Sequence, residues 1–125
     1  MLRYTIPILL LAASGMQAQQ CTTYTDRDVT IRLGKDSKAD PEYACVKRGT
    51  RVRWISNSGH WSASFKDKSP FESGNMLVFN QKDKPSGWER VKECKGTKPE
   101  CVFKYRSQVN PSQAIDPDVE VEPGQ

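Results

Sequence analysis

The stretch Arg51-Val52-Arg53-Trp54-Ile55 alternates charged and apolar residues, which places Val52 and Trp54 on one side of an extended chain. The stretch Cys101-Val102-Phe103-Lys104-Tyr105-Arg106-Ser107 has the same period, with its aromatic residues on one face and its basic residues on the other. A period of two residues is typical of a β-strand that buries one face. Both stretches therefore predict half-buried strands.

Shorter stretches with the same character lie on either side of these two. They predict further strands at residues 29–33, 43–47, 61–65, 76–79 and 119–121. Turn-forming residues separate them, and no segment after the first twenty residues carries an apolar stripe of helical period. About seven short strands in roughly a hundred residues predict an all-β sandwich. Segment 66–93 is long for a connection and holds one of these strands.

The start of the sequence has the layout of a secretory signal peptide. The charge of Arg3 precedes an apolar run over residues 6–13, and small or polar residues follow. This run is too short to cross a bilayer as a helix, so we expect no membrane span. We expect cleavage after Ala18, with Gly15 as the alternative, which leaves one domain at residues 19–125. The expected location of this domain is the periplasm or the secreted fraction.

Four cysteines follow the predicted leader: Cys21, Cys45, Cys94 and Cys101. In an oxidising compartment this even count predicts two disulfides, for which three connectivities are possible. The residues between Cys94 and Cys101 are rich in turn formers, so we expect these two to pair, and Cys21 then pairs with Cys45 by elimination. Disulfides explain the cysteines better than a zinc site, because the sequence contains no Cys-x-x-Cys and a single histidine.

The sequence is mildly basic. Its net charge is +4, and removal of Arg3 with the leader lowers this by one to +3, because no acidic residue leaves with it. Basic residues cluster within 47–53 and acidic residues within 116–122. A basic cluster is able to bind nucleic acid or anionic glycans, but we favour two neighbouring strands whose charged sides face water. We expect no nucleic-acid partner, since an exported protein meets little nucleic acid.

Four stretches resemble segments of the cupredoxin family. Residues 41–54 (PEYACVKRGTRVRW) are similar to its early strand, glycine turn and strand ending in a tryptophan. Residues 59–65 (GHWSASF) resemble the segment that holds the family's first copper-ligating histidine. Residues 103–107 (FKYRS) resemble its penultimate strand, and residues 116–123 (DPDVEVEP) resemble its closing strand. The resemblance implies an all-β, cupredoxin-like Greek-key β-sandwich.

The resemblance does not extend to the family's copper ligands, which are two imidazoles and a thiolate. His60 lies where a ligand is expected, but Ser107 stands in place of the cysteine, and residues 108–114 contain no histidine or methionine. We therefore expect no redox copper and no cofactor. The alternative is a small copper-binding protein that uses His60 and Met76 as an incomplete ligand set.

The sequence carries no catalytic motif that we recognise. It lacks a Gly-x-Ser-x-Gly elbow, so we expect no enzyme activity. Aromatic and basic residues in and beside segment 66–93 favour binding of an unidentified protein or glycan of the cell envelope. The candidates for this contact are Trp61, Phe71 and Trp88, although tryptophans of sandwiches often lie in the core. The sequence thus predicts an exported, non-catalytic binding module, and a more remote alternative is an inhibitor that presents segment 66–93 to an enzyme.

Overall fold

The structure, a computed structural model, describes residues 20–124. The predicted leader at residues 1–18 lies outside the described residues. Within residues 20–124 the strands are β1 (Val29–Leu33), β2 (Ala39–Asp40), β3 (Tyr43–Val46), β4 (Arg51–Ile55), β5 (Trp61–Phe65), β6 (Leu77–Asn80), β7 (Glu89–Arg90), β8 (Val102–Val109) and β9 (Asp118–Val121). One 3-10 turn, Pro99–Cys101, precedes β8. In the described part of the chain, no helix has the length and apolar character needed to cross a membrane.

The strands form two sheets. The four-stranded sheet has the order β2-β1-β4-β7, and the five-stranded sheet has the order β3-β9-β8-β5-β6. The pairs β1–β4 and β3–β9 are parallel, and the other neighbouring strands are antiparallel. Disulfides join Cys94 to Cys101, as the turn formers between them predict, and Cys21 to Cys45, the pair expected by elimination. The predicted mostly β fold with two disulfides is confirmed, and its strands form two sheets.

Side chains from both sheets meet in one aromatic core. Trp54 of β4 is fully buried, and its ring lies edge-on to Phe65, Phe71 and Tyr105 at centroid distances of 6.0, 5.9 and 5.5 Å. Edge-on aromatic pairs stabilise a core beyond the burial of their apolar surface. Burial among these rings raises the pKa of Tyr105 well above its usual value. Apolar and polar residues alternate in β4 and β8 because the apolar ones face this core.

A buried carboxylate holds the first described residues. Glu120 of β9 is 1% exposed, and its oxygens accept hydrogen bonds from the backbone N–H groups of Gln20 and Cys21 at 3.2 and 3.3 Å. The disulfide from Cys21 to Cys45 attaches the same segment to β3. Thr25 then pairs with the outer edge of β3 through backbone hydrogen bonds. The segment before β1 is therefore part of the folded sandwich.

Segment 66–93 is built into the fold by backbone pairing. It contributes β6, β7 and a bridge between Phe71 and Val91. The sequence pattern predicts neither β7 nor β2, because a strand of two residues is too short to show a period. Their pairing with β4 and β1 is what makes these residues strands.

Candidate functional site

The structure does not bring together His60 and Met76, the residues of the copper alternative. His60 is exposed at the start of β5, and Met76 lies at the opposite end of the β5–β6 hairpin, where its carbonyl accepts the N–H of Phe65. Met76 is opposite Phe65, and His60 lies five residues before Phe65, which is about 17 Å along an extended strand. This pair is therefore unable to bind one ion. Residues 20–124 also contain no group of three or more His, Cys, Asp or Glu side chains placed to hold a metal.

We expect His60→Ala to change the free energy of unfolding by less than about 0.5 kcal/mol, because the imidazole is exposed. Chemical denaturation of the wild type and the variant measures this difference. Copper titration of the same two proteins is expected to give identical curves, since one imidazole without a second ligand does not make a site. Copper binding that the variant loses, or a loss of several kcal/mol in stability, would contradict this view of His60.

Two of the three candidates for partner contact lie in the core, which corrects their placement on a binding surface. Trp61 is 3% exposed, and its Nε1–H donates to the carbonyl of Lys84 at 3.2 Å. Phe71 is 1% exposed and contacts the ring of Trp54. Both side chains belong to the same buried hydrophobic cluster as Trp54. Trp88, the third candidate, keeps 37% of its surface exposed.

The outer side of the four-stranded sheet carries several arginines. Arg51 and Arg53 lie on this side because the residues that alternate with them in β4 are buried. Arg90 is opposite Arg51 in the β4–β7 register, so both side chains lie on one side of the sheet. Arg32 of β1 alternates with buried residues in the same way. We call these four side chains, together with Trp88, the arginine face.

Trp88 is held in this face by two guanidinium groups. It directly precedes β7, and continuing the β4–β7 register places it across from Arg53. The Cζ atoms of Arg53 and Arg51 lie 4.4 and 4.9 Å from the centre of its ring. These distances are within the range of cation–π attraction. The ring therefore has a fixed position on the sheet and still presents apolar surface to solvent.

Three acids lie on the arginine face. Asp28 accepts two hydrogen bonds from Arg51, from Nε at 3.1 Å and from Nη2 at 2.5 Å. The hydrogen bond from Arg51 lowers the pKa of Asp28, and the same bond raises the pKa of Arg51. Asp40 is opposite Arg32 in the β1–β2 register. Continuing the Phe71–Val91 bridge places Glu72 opposite Arg90, and its N–H donates to the carbonyl of Arg90. Four guanidinium groups against three carboxylates leave the face with a small excess of positive charge.

The other two arginines bind uncharged oxygens. Arg53 donates from Nε to the hydroxyl of Thr30 at 3.1 Å, and Arg90 donates from Nη1 to the carbonyl of Gly49 at 2.7 Å. These bonds orient the guanidinium groups without neutralising them. Each group has further N–H donors, because a guanidinium carries five. The face is therefore equipped to accept anionic groups from outside.

Cavities also lie away from this face. One, of about 1000 Å³, is lined by charges of both signs, among them Lys47, Arg48, Glu93 and Glu122. Another, of about 470 Å³, is lined by side chains that include Lys66 and Asp116. A third, of about 350 Å³, lies beside His60, which is the one titratable group among the described residues that line it. A single titratable group does not supply the acid and base that hydrolytic chemistry uses.

From the sequence, the basic cluster at residues 47–53 is interpreted as the water-facing side of a strand, and Arg32 and Arg90 lie outside that cluster. Alternation in β1 does place Arg32 outward, but the contribution of Arg90 depends on the pairing of the short strand β7. No protein-family model matches this sequence, and no curated protein matches it. The function proposed below therefore rests on the chain's own residues.

Proposed function

We propose that this protein is an exported, non-catalytic binding module with a cupredoxin-like Greek-key fold, whose arginine face binds an acidic polysaccharide of the cell envelope. The observation that carries the proposal is the contact of exposed Trp88 with Arg51 and Arg53 on an open sheet surface. Export is supported by the predicted leader and by two disulfides, which persist in oxidising compartments.

The chemistry of the face suits a chain of anionic sugars. Planar guanidinium groups bind carboxylate or sulfate oxygens through paired hydrogen bonds. The ring of Trp88 offers an apolar surface on which the C–H face of a sugar can pack, while its position between arginines keeps anionic substituents near positive charge. The positive excess also attracts a polyanion from a distance.

A polysaccharide fits this face better than a protein. Protein interfaces have a central apolar cluster that excludes water, surrounded by a polar rim. The arginine face has one aromatic ring, and charged side chains surround it. A cavity of about 540 Å³ is lined by Arg32 and Asp40 but not by Trp88, so a ligand that contacts both Arg32 and Trp88 has to be extended.

We expect the wild type to bind polygalacturonate, an acidic polysaccharide, and to ignore neutral dextran in isothermal titration calorimetry. Arg32→Gln combined with Arg53→Gln removes two charges of the face, and Trp88→Ala removes its ring. Each change is expected to weaken binding by at least about tenfold. Added salt is expected to weaken the binding of the wild type, because exposed charges are screened.

The matched control combines Lys82→Gln with Arg106→Gln, two exposed residues outside the arginine face. It lowers the net charge by the same amount and is expected to leave the affinity within about twofold of the wild type. An equal loss in this control would show that net charge alone attracts the polymer, which would overturn the assignment to the face. A wild type that binds no polyanion would overturn the proposal as a whole, with thermal melts to show that every variant is folded.

A further inference from the structure

Strand β6 is the longest uncovered sheet edge in the described part of the chain. The outer edge of β3 is covered by Thr25, and the outer edge of β7 is covered by Glu72, whose N–H donates to the carbonyl of Arg90. The edge strand β2 has two residues, carries Asp40 and is followed by Pro41. Short length, charge and proline are all features that prevent an edge from pairing with another strand. Strand β6 has four residues and none of these features.

Backbone groups of β6 point away from the protein. The N–H of Phe65 donates to the carbonyl of Met76 at 2.7 Å, which identifies these opposite residues as a hydrogen-bonded pair. Hydrogen-bonded and non-hydrogen-bonded pairs alternate in an antiparallel ladder. The next hydrogen-bonded pair on β6 therefore includes Val78, whereas the N–H and C=O groups of Leu77 and Phe79 face the open edge. These groups are ready to pair with a further strand.

The side chains of the same two residues are unusually exposed. Leu77 is 52% and Phe79 is 68% exposed, and they belong with Trp88 to the exposed large apolar residues of residues 20–124. The residues opposite them on β5 are Ser64 and Ser62, whose small side chains cover little of the leucine and phenylalanine. Residues 75–81 carry no charge. An edge strand with apolar side chains and no charge is a strong candidate for strand pairing.

We propose that β6 pairs antiparallel with β6 of a second copy of this chain, so that two five-stranded sheets join edge to edge. A two-fold axis through Val78 places Leu77 opposite Phe79 of the other copy, and Phe79 opposite Leu77 of the other copy. Both of these are positions whose N–H and C=O groups face the edge, so each pair forms both of its backbone hydrogen bonds. The arrangement is the self-complementary contact of a symmetric dimer.

We assign the open edge of β6 to a second copy of this chain, because the sequence of β6 is compatible with its own sequence in an antiparallel pair. An antiparallel partner of the same sequence brings no like charges together, since residues 75–81 have none. On the outer side of the joined sheet, Leu77 of each copy packs against Phe79 of the other copy. Burying these four side chains removes from water the largest exposed apolar surface of β6.

Sedimentation velocity at increasing protein concentration tests this proposal. The wild type is expected to shift from the monomer mass to twice that mass. Leu77→Lys combined with Phe79→Lys places like charges opposite each other and is expected to keep the protein monomeric at every concentration. Phe79→Pro removes an N–H that faces the open edge and leaves the β5–β6 ladder intact, so it is expected to weaken the dimer in a folded chain. Trp88→Ala, on the other sheet, is the control and is expected to dimerise as the wild type does.

A covalent test addresses the register. In a symmetric pair centred on Val78, the two Val78 residues form a non-hydrogen-bonded pair with Cα atoms about 4.5 Å apart. Val78→Cys is therefore expected to give a cross-linked dimer under mild oxidation, because this distance is within disulfide range. A wild type that stays monomeric at all concentrations would overturn the proposal and leave the edge to a strand of another protein. A dimer that persists in the β6 variants, or the absence of the cross-link, would overturn the interface or its register.

Discussion

Trp54→Ala is expected to lower the free energy of unfolding by about 3–5 kcal/mol. The indole is fully buried and lies edge-on to three rings. Phe65 and Tyr105 come from the five-stranded sheet, and Phe71 comes from segment 66–93. Its removal leaves a cavity that three rigid rings cannot fill by small movements. A domain of this size has a total stability of about 5–15 kcal/mol, so the loss removes a large fraction of it. Denaturant titration followed by circular dichroism measures the change.

Trp88→Ala is the matched control for this prediction, since it removes the same side chain from the surface. Trp88 is 37% exposed and packs against flexible arginine side chains. We expect it to cost about 1 kcal/mol or less, mainly through the lost cation–π contacts. Equal losses from the two substitutions would contradict the placement of Trp54 at the centre of the core.

Replacing both cysteines of the Cys21–Cys45 bond by serine is expected to lower the free energy of unfolding by about 3.5 kcal/mol. This bond closes a loop with a sequence separation of 24. Its removal frees more conformations in the unfolded chain than removal of a bond that closes a short loop. It also releases the segment whose N–H groups satisfy the buried carboxylate of Glu120. Denaturant titration of the oxidised protein and the double variant gives the difference.

The Cys94–Cys101 bond provides the comparison, because its sequence separation is 7. Serine at both positions is expected to cost about 2.5 kcal/mol in the same chain-entropy treatment. The order of the two losses is the decisive result. A larger loss from the shorter loop would show that the segment before β1 contributes little to the folded protein.

Much of the fold follows from alternation in the sequence. Strands β4 and β8 have one buried and one exposed face, so a period of two residues is visible in their sequences. The disulfide pairs follow from the turn formers between Cys94 and Cys101. Strands β2 and β7 have two residues each, and pairing with a neighbour defines them rather than any pattern of their own.

The candidate site was less predictable, because it depends on register between distant segments. Alternation places Arg51 and Arg53 on one side of β4, but the approach of Trp88 requires the pairing of β7 with β4. The same limit applies to His60 and Met76, which a hairpin register places at opposite ends. The sequence also does not decide whether an aromatic residue next to turn formers is buried. For this reason Trp61 was a candidate for partner contact, although its side chain lies in the core.

The position of β9 has a consequence for the time at which the sandwich can form. This last strand in sequence lies between β3 and β8 in the five-stranded sheet, and it pairs Tyr43 with Asp118 in a parallel register. Until β9 is available, β3 has no neighbour in the five-stranded sheet. Contacts between such distant segments form slowly, since a long loop must close first. The topology thus makes the early strand β3 wait for β9 before it joins the five-stranded sheet, so folding of this sheet requires the segments from β3 to β9 together.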